Sequence, residues 1–417
     1  MRKISRMVTI TMGLMLAAGC GGDEESIDDI DDVELTAELQ QELHGISADC
    51  DPDALSGWGQ FLCKVKRRLE GRRLFDKEEF GGNGRTCLTC HSKKNGTLTL
   101  AQIQQRLNKP NHPLFVHDGL DDDGVGTSRI EADGTIRVTL ALPPYVTVAG
   151  DPGATHIDVF RGIPTTENTP ALDPFLMQDG RNATLQEQAA GAIEAHAQNT
   201  IEPAANELDL IAEFQQDSPR FFSNSTLRKF AKGGPAPELP QGNTESEQRG
   251  RLFFVDAPFS PPSKEGVCAL CHSGPMLNLT NSFGAQVFPA TEGTRVHPVG
   301  VSEVNANNYP VHDLLVDDGL GTVIPVSTPD PGILLQPHLL PPPFVLHPAV
   351  FANFFKTPQL WGVSGTAPYF HDNSAKTLEA VVDQYQFFFD NDPFVSWANI
   401  QFTEQDKEDM VAFMELL

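Results

Sequence analysis

Basic residues and long apolar runs are both scarce in this sequence. It has 30 Lys and Arg against 56 Asp and Glu, which gives a formal net charge of −26 at pH 7. Proteins that bind nucleic acid need basic patches that neutralise phosphates, so this charge argues against that class of partner. An acidic surface instead favours solubility or the docking of basic partners. Beyond the N-terminal segment, no stretch is apolar enough to span a membrane.

The N-terminal segment has the features of an export signal over residues 1–20. Basic residues at positions 2, 3 and 6 precede a short apolar core at 7–18. That core is too short for a spanning helix and is typical of a signal peptide. The run LAAGC, which ends at Cys20, resembles a bacterial lipoprotein signal; the alternative is an ordinary cleaved signal. The sequence therefore predicts a protein of the periplasm or cell envelope, whose membrane contact is a lipid anchor on Cys20.

The chain has seven cysteines, and they fall into three groups. Four belong to two Cys-x-x-Cys-His runs, one is Cys20, and Cys50 and Cys63 remain as an even pair. In an oxidising compartment such a pair is expected to form a disulfide, and the alternative is two buried thiols. Residues 21–49, before this pair, are polar and acidic, which predicts a flexible tether.

Hydrophobic periodicity divides the rest of the chain mostly into helices and loops. The predicted helices cover 61–75, 183–198, 205–215, a segment that begins near Ser374 and another that begins at Thr403. The last of these opens on TEQD, which resembles a capping box. One strand is predicted at 136–148, and residues 300–350 are predicted to form a long irregular insertion. The pattern therefore predicts a mainly α fold with loop-rich insertions and a few short strands.

One module of the sequence occurs twice. The run GRRLF at 71–75 begins sixteen residues before Cys87, and GRLFF at 250–254 begins eighteen before Cys268. In each copy, a helix with an aromatic end leads into a loop and then into Cys-x-x-Cys-His. The repeat predicts two domains of similar construction, over 50–235 and 236–417.

The repeated Cys-x-x-Cys-His run is the attachment signature of c-type haem. Two thiols add to the vinyl groups of one porphyrin, and the adjacent His lies beneath the ring as an iron ligand. The predicted attachment residues are Cys87, Cys90 and His91 for the first haem, and Cys268, Cys271 and His272 for the second. A zinc site would need a further Cys or His pair, and a thioredoxin-like redox pair needs no following His. The sequence therefore predicts two cytochrome c-like domains, each with a covalently bound haem c.

Three further stretches resemble the bacterial diheme cytochrome c peroxidase family, which includes the MauG-type enzymes. They are NTP at 168–170, DGR at 179–181 followed by ATLQEQAAG, and FKTPQLWGVSGTAPYFHDNSAKTLEAV at 355–381. The resemblance covers the chain from about residue 65 to its end. It implies that the haem of the N-terminal domain reacts with hydrogen peroxide. The haem of the C-terminal domain is then six-coordinate and relays electrons.

A calcium ion is also implied by this resemblance. Its ligands in the family map to Asn168 and to backbone oxygens at Thr366 and Pro368. Hard oxygen atoms, backbone carbonyls included, suit calcium. The alternative is that Asn168 only caps a turn.

The second axial ligand of the His272 haem is a departure from the peroxidases. Their Met ligand lies fourteen residues after the His of PYFHD, which is His371 here, and the corresponding residue is Tyr385. MauG-type enzymes also carry Tyr at this place, so the resemblance implies that Tyr385 binds the iron. A hard Tyr oxygen stabilises higher oxidation states, whereas a thioether raises the potential. If Tyr385 is instead a core aromatic, the candidate ligands are Met177, Met276, Met410 and Met414.

The distal residue of the first haem is a second departure. The distal Glu of the peroxidases maps to Gln198, and MauG-type enzymes also have Gln there. A Gln side chain can hydrogen-bond a bound peroxide, but it cannot accept its proton. General acid–base work would then fall to His196, Glu202 or Glu207, each of which is otherwise explained as part of a charged helix face.

Gln178 is a third departure from both branches of the family. They place a Trp at this position, between the haems, where it can assist electron transfer. A Gln cannot be oxidised in that way, so another aromatic residue would have to substitute. Trp361, within the third matching stretch, is a candidate.

These features predict a diheme oxidoreductase that uses hydrogen peroxide. Its electron donor would be a small c-type cytochrome, a cupredoxin or a partner protein oxidised at Tyr or Trp. Two alternatives stay open, namely a diheme electron carrier without catalysis and a diheme oxygenase of an organic substrate. Because members of the family are often dimers, a homodimer is also a candidate assembly.

Overall fold

The computed structural model describes residues 37–115, 126–288, 290–305, 309–342 and 345–417. The predicted signal peptide, with Cys20 and its lipid anchor, lies outside these residues. Within the described ranges, no helix is long and apolar enough to cross a membrane.

Helices dominate the described chain, and short strands and long loops connect them. The helices are α1 Ala37–His44, α2 Gly57–Lys77, α3 Cys87–Cys90, α4 Leu100–Leu107, α5 Ser128–Asp133, α6 Thr169–Leu172, α7 Leu185–Ala192, α8 Ala205–Asp217, α9 Ser225–Ala231, α10 Glu245–Arg251, α11 Gly284–Val287, α12 Val301–Val304, α13 Leu378–Asn391 and α14 Glu404–Met414. The strands are β1 Thr135–Ala141, β2 Val146–Val148, β3 His156–Gly162, β4 Val296–His297, β5 His312–Asp317, β6 Val323–Thr328 and β7 Phe355–Lys356. This composition confirms the predicted mainly α fold class with a few short strands.

The chain divides into two compact units. Unit 1 contains the described residues of 37–89 together with 185–222, and unit 2 contains 90–184 and 223–417. The division falls inside the first Cys-x-x-Cys-His run, so its two cysteines belong to different units. These units do not follow the domain boundary predicted after residue 235, which stays a prediction.

The described part of unit 1 begins with helix α1, which packs against α2. The predicted disulfide between Cys50 and Cys63 is confirmed, with the two Cα atoms 5.9 Å apart. Helix α1 buries Leu43 in a cluster with Val65 of α2. Because α1 falls within 21–49, the segment predicted to be a flexible tether is shorter at its C-terminal end than the composition indicated.

The first residue of each repeated GR run allows two helices to touch along their backbones. In unit 1, a Cβ atom on Gly71 of α2 would lie 2.2 Å from the carbonyl oxygen of Leu210 on α8. In unit 2, a Cβ atom on Gly250 of α10 would lie 1.9 Å from the carbonyl oxygen of Asp409 on α14. Only glycine permits so close an approach. The sequence repeat therefore corresponds to a repeated helix crossing.

Replacement of Gly250 by Ala is expected to lower the free energy of unfolding by about 1–3 kcal/mol, because the added methyl group forces α10 and α14 apart. Urea unfolding of the holoprotein, followed by circular dichroism, measures this loss. Gly191→Ala in α7 is the matched control, because a Cβ atom there meets nothing within 4 Å. That variant should be neutral or more stable by up to about 1 kcal/mol. Equal losses in the two variants would contradict the role of the crossing.

Two small sheets in unit 2 correct the sequence prediction for its loops. Strands β1 and β3 pair antiparallel, and β2, β5 and β6 form a separate antiparallel sheet in that order. The single strand predicted at 136–148 was wrong, because Pro143 and Pro144 interrupt it and the two parts join different sheets. The insertion 300–350 is not irregular throughout, since it contains the β5–β6 hairpin.

The two C-terminal helices begin at capping residues. Helix α13 starts after Thr377, whose side chain accepts the N–H of Ala380, and not near Ser374 as predicted. Helix α14 starts after Thr403, and the capping box with Asp406 is confirmed. A Thr side chain at this position satisfies an N–H group that the first helical turn leaves unpaired.

A buried ion network in unit 2 is centred on Arg161, which is 1% exposed. Its guanidinium donates to both carboxylate oxygens of Asp330, at 2.7 and 2.8 Å, and to Asp179 at 2.7 Å. Arg181 also donates to Asp179, at 2.9 Å. Burial alone would raise the pKa of both carboxyl groups, but the charge of Arg161 holds each pKa below its usual range. The network thus fixes the DGR run to the 300–350 insertion.

Candidate haem sites

The second Cys-x-x-Cys-His run lies on a tight helical turn. The N–H groups of Cys271 and His272 both donate to the carbonyl oxygen of Cys268, at 3.3 and 2.9 Å. Residues three apart on such a turn are neighbours on one side of it. The turn therefore presents the two thiols to one group, as attachment to a single porphyrin requires.

The imidazole of His272 is buried, and the backbone fixes its orientation. Its Nδ1–H donates to the carbonyl oxygen of Leu277 at 2.8 Å. Burial lowers the pKa of His272 to about 4, so the ring is neutral at pH 7. With the proton on Nδ1, the lone pair is on Nε2. A His that binds a metal donates its other ring N–H to a carbonyl in this way.

The phenol of Tyr385, on helix α13, lies next to Nε2 of His272. Its Oη atom lies 3.1 Å from Nε2 of His272, although the two residues are 113 positions apart in the chain. Burial raises the pKa of the Tyr385 phenol, so the hydroxyl keeps its proton and donates it to Nε2. An iron held by both atoms needs about 4 Å between them, the sum of two first-row metal bonds of about 2 Å each. The two side chains are thus aimed at one point and must separate by about 1 Å to bind an iron there.

The cysteines of the second motif are partly buried. Burial raises the pKa of Cys268 to about 12 and raises the pKa of Cys271 as well. A zinc site or a thioredoxin-like pair would need thiolates, which this environment disfavours. Within the described residues, no group of three or more His, Cys, Asp or Glu side chains is gathered around one point. Covalent haem attachment at the second motif stays a prediction.

The His of the first motif is oriented in the same way as its counterpart. Nδ1 of His91 lies 2.7 Å from the carbonyl oxygen of Gly96, five residues later. Leu277 is also five residues after His272, so the two motifs share one backbone arrangement. In both, the ring would bind an iron through Nε2.

Gln198 lies in unit 1, directly after a π-helical turn at Ile193–Ala197. Such turns are frequent at functional sites. Asn83 donates from its amide to Oε1 of Gln198 at 3.3 Å and to the carbonyl oxygen of His196 at 3.0 Å. Arg85 donates to the same carbonyl at 3.1 Å. Sequence reasoning missed Asn83 and Arg85, although they directly precede the first Cys-x-x-Cys-His run.

The other proposed acid–base residues occupy different places in unit 1. Oε2 of Glu207 accepts the N–H of Ala204 at 2.9 Å and so caps helix α8. Glu202 is exposed. The structure therefore brings His196 and Gln198 together with Asn83 and places Glu207 at a helix cap. The catalytic roles of these residues stay predictions.

The predicted calcium ligand Asn168 is fully buried in unit 2. Its amide nitrogen donates to Oγ of Ser223 at 3.0 Å and to the carbonyl oxygen of Trp361 at 3.2 Å. Its amide oxygen accepts the N–H of Ser223 at 3.0 Å. Thr366 donates its hydroxyl to the carbonyl of Val363 at 3.0 Å. The Asn168 oxygen already accepts a hydrogen bond from Ser223, and the calcium ion stays a prediction.

Gln178 joins three backbone segments of unit 2 through hydrogen bonds. Its side-chain amide donates to the carbonyl oxygens of Gly162 and His371, at 3.0 and 3.4 Å. Its backbone carbonyl accepts the N–H of Lys356 at 2.7 Å. Next to it, the rings of Phe355 and His371 are stacked with centroids 3.8 Å apart. The side chain and backbone of Gln178 are therefore both used for hydrogen bonds to the backbone of unit 2.

Comparison with known proteins gives similarities to solved structures only. No protein-family model matches the chain, and no curated protein matches it. One similar structure is a MauG-like protein associated with microbial copper homeostasis, with 19% identity, 84% of this chain and 87% of that chain covered, and a TM-score of 0.44. Another is the diheme peroxidase BthA from Burkholderia thailandensis, with 15% identity, 89% and 87% covered, and a TM-score of 0.42. Hydrazine synthase from Kuenenia stuttgartiensis is similar at 13% identity, with 93% and 94% covered and a TM-score of 0.41. The first two structures are named as a MauG-like protein and a diheme peroxidase, the two kinds of protein that the sequence resembles.

Proposed function

We propose that this chain is a two-haem c-type oxidoreductase of the bacterial diheme cytochrome c peroxidase and MauG type. The observation that supports the proposal most strongly is the contact between His272 Nε2 and Tyr385 Oη at 3.1 Å. This contact brings a second candidate iron ligand, the Tyr385 phenol, to the His272 motif. The shared orientation of His91 and His272 supports haem binding at both motifs.

Each motif contributes residues with separate tasks. A haem iron supplies reversible electron transfer and, with an open axial position, peroxide chemistry. The cysteines hold the porphyrin covalently, and the carbonyls of Gly96 and Leu277 fix the His rings. Tyr385 would hold the iron at the His272 site together with His272. These tasks make the His272 site the one for electron transfer and leave the His91 site for peroxide.

We assign peroxide binding to Gln198, the residue that the sequence resemblance implies for this role. Its side-chain amide can donate to an oxygen of the bound peroxide, while its Oε1 accepts from Asn83. Because an amide accepts no proton at neutral pH, a second group must hold the proton of the peroxide. His196 is the proposed group, since it lies two residues away on the π-helical turn.

The proposed partner is an electron donor protein with a basic docking surface. The net charge of −26 would attract such a partner and speed its association at low salt. A small c-type cytochrome, a cupredoxin or a protein oxidised at Tyr or Trp all fit the chemistry. The proposed location is the cell envelope, with a lipid anchor at Cys20. We also propose that the protein binds a calcium ion and forms a homodimer.

Stopped-flow absorbance of the ferric holoprotein tests this function. One equivalent of hydrogen peroxide is expected to change the haem spectrum, and a reduced basic cytochrome added afterwards should be oxidised as the spectrum returns. No spectral change with peroxide would overturn the peroxidase proposal in favour of an electron carrier. Oxygen uptake with an organic substrate, in the absence of peroxide, would overturn it in favour of an oxygenase.

A further inference from the structure

One side of helix α4 lies beside the first haem motif. The amide of Gln102 donates to Oγ of Ser92 at 3.1 Å, and Ser92 directly follows His91. Next to Gln102 in the helix, Ile103 is fully buried in a hydrophobic cluster against which Cys90 packs. All of these residues belong to unit 2. The two contacts show which side of α4 is nearest to the motif.

Arg106 lies on this side of α4, because residues four apart in a helix, such as Gln102 and Arg106, are neighbours on its surface. Its side chain is partly buried. Burial lowers the pKa of Arg106, and the charge of a Cys90 thiolate acts against this shift, which places the guanidinium near the Cys90 sulfur. A Cys90 that is joined to a porphyrin carries no charge, so it cannot neutralise the guanidinium in the holoprotein.

The guanidinium of Arg106 has no hydrogen-bond or ion-pair partner among the described residues. Other partly buried arginines are paired, as Arg67 is with Glu213 and Arg220 with Asp76. A partly buried cation without an anion is costly, because burial removes water from the charge and no opposite charge replaces it. The position of Arg106 therefore indicates an anion that comes with a bound group.

A second cation lies close to Arg106. Burial lowers the pKa of His112, and the charges of Arg106 and Lys109 lower it further, so both cations act on the same imidazole. Lys109 is exposed to solvent, whereas Arg106 is partly buried. Although the chain as a whole has a net charge of −26, this side of the first motif thus carries two positive charges. They favour a bound anion at this place.

We propose that Arg106 binds a propionate carboxylate of the haem at the first motif. The assignment rests on the haem proposed at Cys87, Cys90 and His91. In a haem, each pyrrole that carries a vinyl group is next to a pyrrole that carries a propionate, so a cation near Cys90 is on a suitable side of the ring. A guanidinium can donate two parallel N–H bonds to one carboxylate. Its charge also compensates the negative propionate, which favours the reduced iron.

A redox titration of the holoprotein, followed by electron paramagnetic resonance, tests this contact because it reports the two ferric haems separately. In Arg106→Gln, the potential of the His91 haem should fall, since the propionate charge is no longer compensated. The potential of the His272 haem should stay the same. In the resonance Raman spectrum, the propionate bending band of one haem should shift to lower frequency, as expected for a lost hydrogen bond. Arg106→Lys, which keeps the charge, should restore most of the potential.

Lys109→Gln is the matched control, because it removes the same charge from a nearby exposed position. It should lower the potential much less and leave the Raman band unchanged. Equal falls in Arg106→Gln and Lys109→Gln would overturn the propionate contact in favour of a general effect of charge. An unchanged Raman band in Arg106→Gln would overturn it too. If the mass of the denatured unsubstituted protein showed no haem at Cys87 and Cys90, the proposed function on which the assignment rests would be wrong instead.

Discussion

Holoprotein in which Cys268 and Cys271 are both replaced by Ser is expected to carry one covalently bound haem instead of two. The two thiols lie on one helical turn beside an oriented His272, and serine hydroxyls cannot form the thioether bonds. The mass of the denatured protein measures the change directly as the loss of one haem per chain. Absorbance of the denatured protein should show half the haem of the unsubstituted chain.

The disulfide pair supplies a matched control for this loss of cysteines. Cys50 and Cys63 are bonded to each other, so their replacement by Ser should leave two covalent haems. Replacement of Cys87 and Cys90 should mirror the first result at the other site. Two haems retained without Cys268 and Cys271 would show that this motif does not attach haem.

Tyr385→Phe is expected to open the axial position opposite His272. It removes the hydroxyl that lies 3.1 Å from Nε2 and keeps the ring that packs in α13. The low-spin ferric signal of that haem should be replaced by a high-spin signal. Axial ligands shift haem potentials over about 0.8 V, and loss of a hard oxygen ligand should raise this potential by the order of 0.1 V. Spectroelectrochemical titration and electron paramagnetic resonance measure both effects.

Tyr145→Phe is the control for Tyr385→Phe. The Tyr145 hydroxyl is also partly buried and donates to the carbonyl of Leu334 at 2.7 Å, so its loss has a similar structural cost. The low-spin signal and the potential of this variant should be unchanged. Tyr385→Met should keep a low-spin haem with a potential above that of the unsubstituted protein, because a thioether favours the reduced iron. An unchanged low-spin signal in Tyr385→Phe would show that another residue binds this iron.

Local chemistry explains what could be predicted from the sequence. The capping box at Thr403 depends only on residues three apart. The disulfide depends on an even pair of cysteines in a chain that is predicted to be exported. The repeated glycine runs correctly pointed to a repeated element. The reason for glycine at positions 71 and 250 is the close approach of another helix, which the sequence alone does not reveal. The carbonyl groups that these glycines approach lie far along the chain.

Contacts between distant residues limited the sequence analysis. Spacing from the His371 motif drew attention to Tyr385, but no local pattern places its hydroxyl against His272. Asn83 and Arg85 look like ordinary loop residues until the π-helical turn brings the His196 carbonyl to them. The split of the predicted strand at Pro143 and Pro144 is different, because proline alone was a sufficient warning.

The most direct measurement is electron paramagnetic resonance of the ferric holoprotein before and after one equivalent of hydrogen peroxide. If Tyr385 closes the His272 site and the His91 site is open, the ferric protein shows one low-spin and one high-spin haem. Both signals should then lose intensity after peroxide is added. Two low-spin haems whose signals do not change with peroxide would contradict a peroxide-reactive site at His91 and leave a protein that only carries electrons.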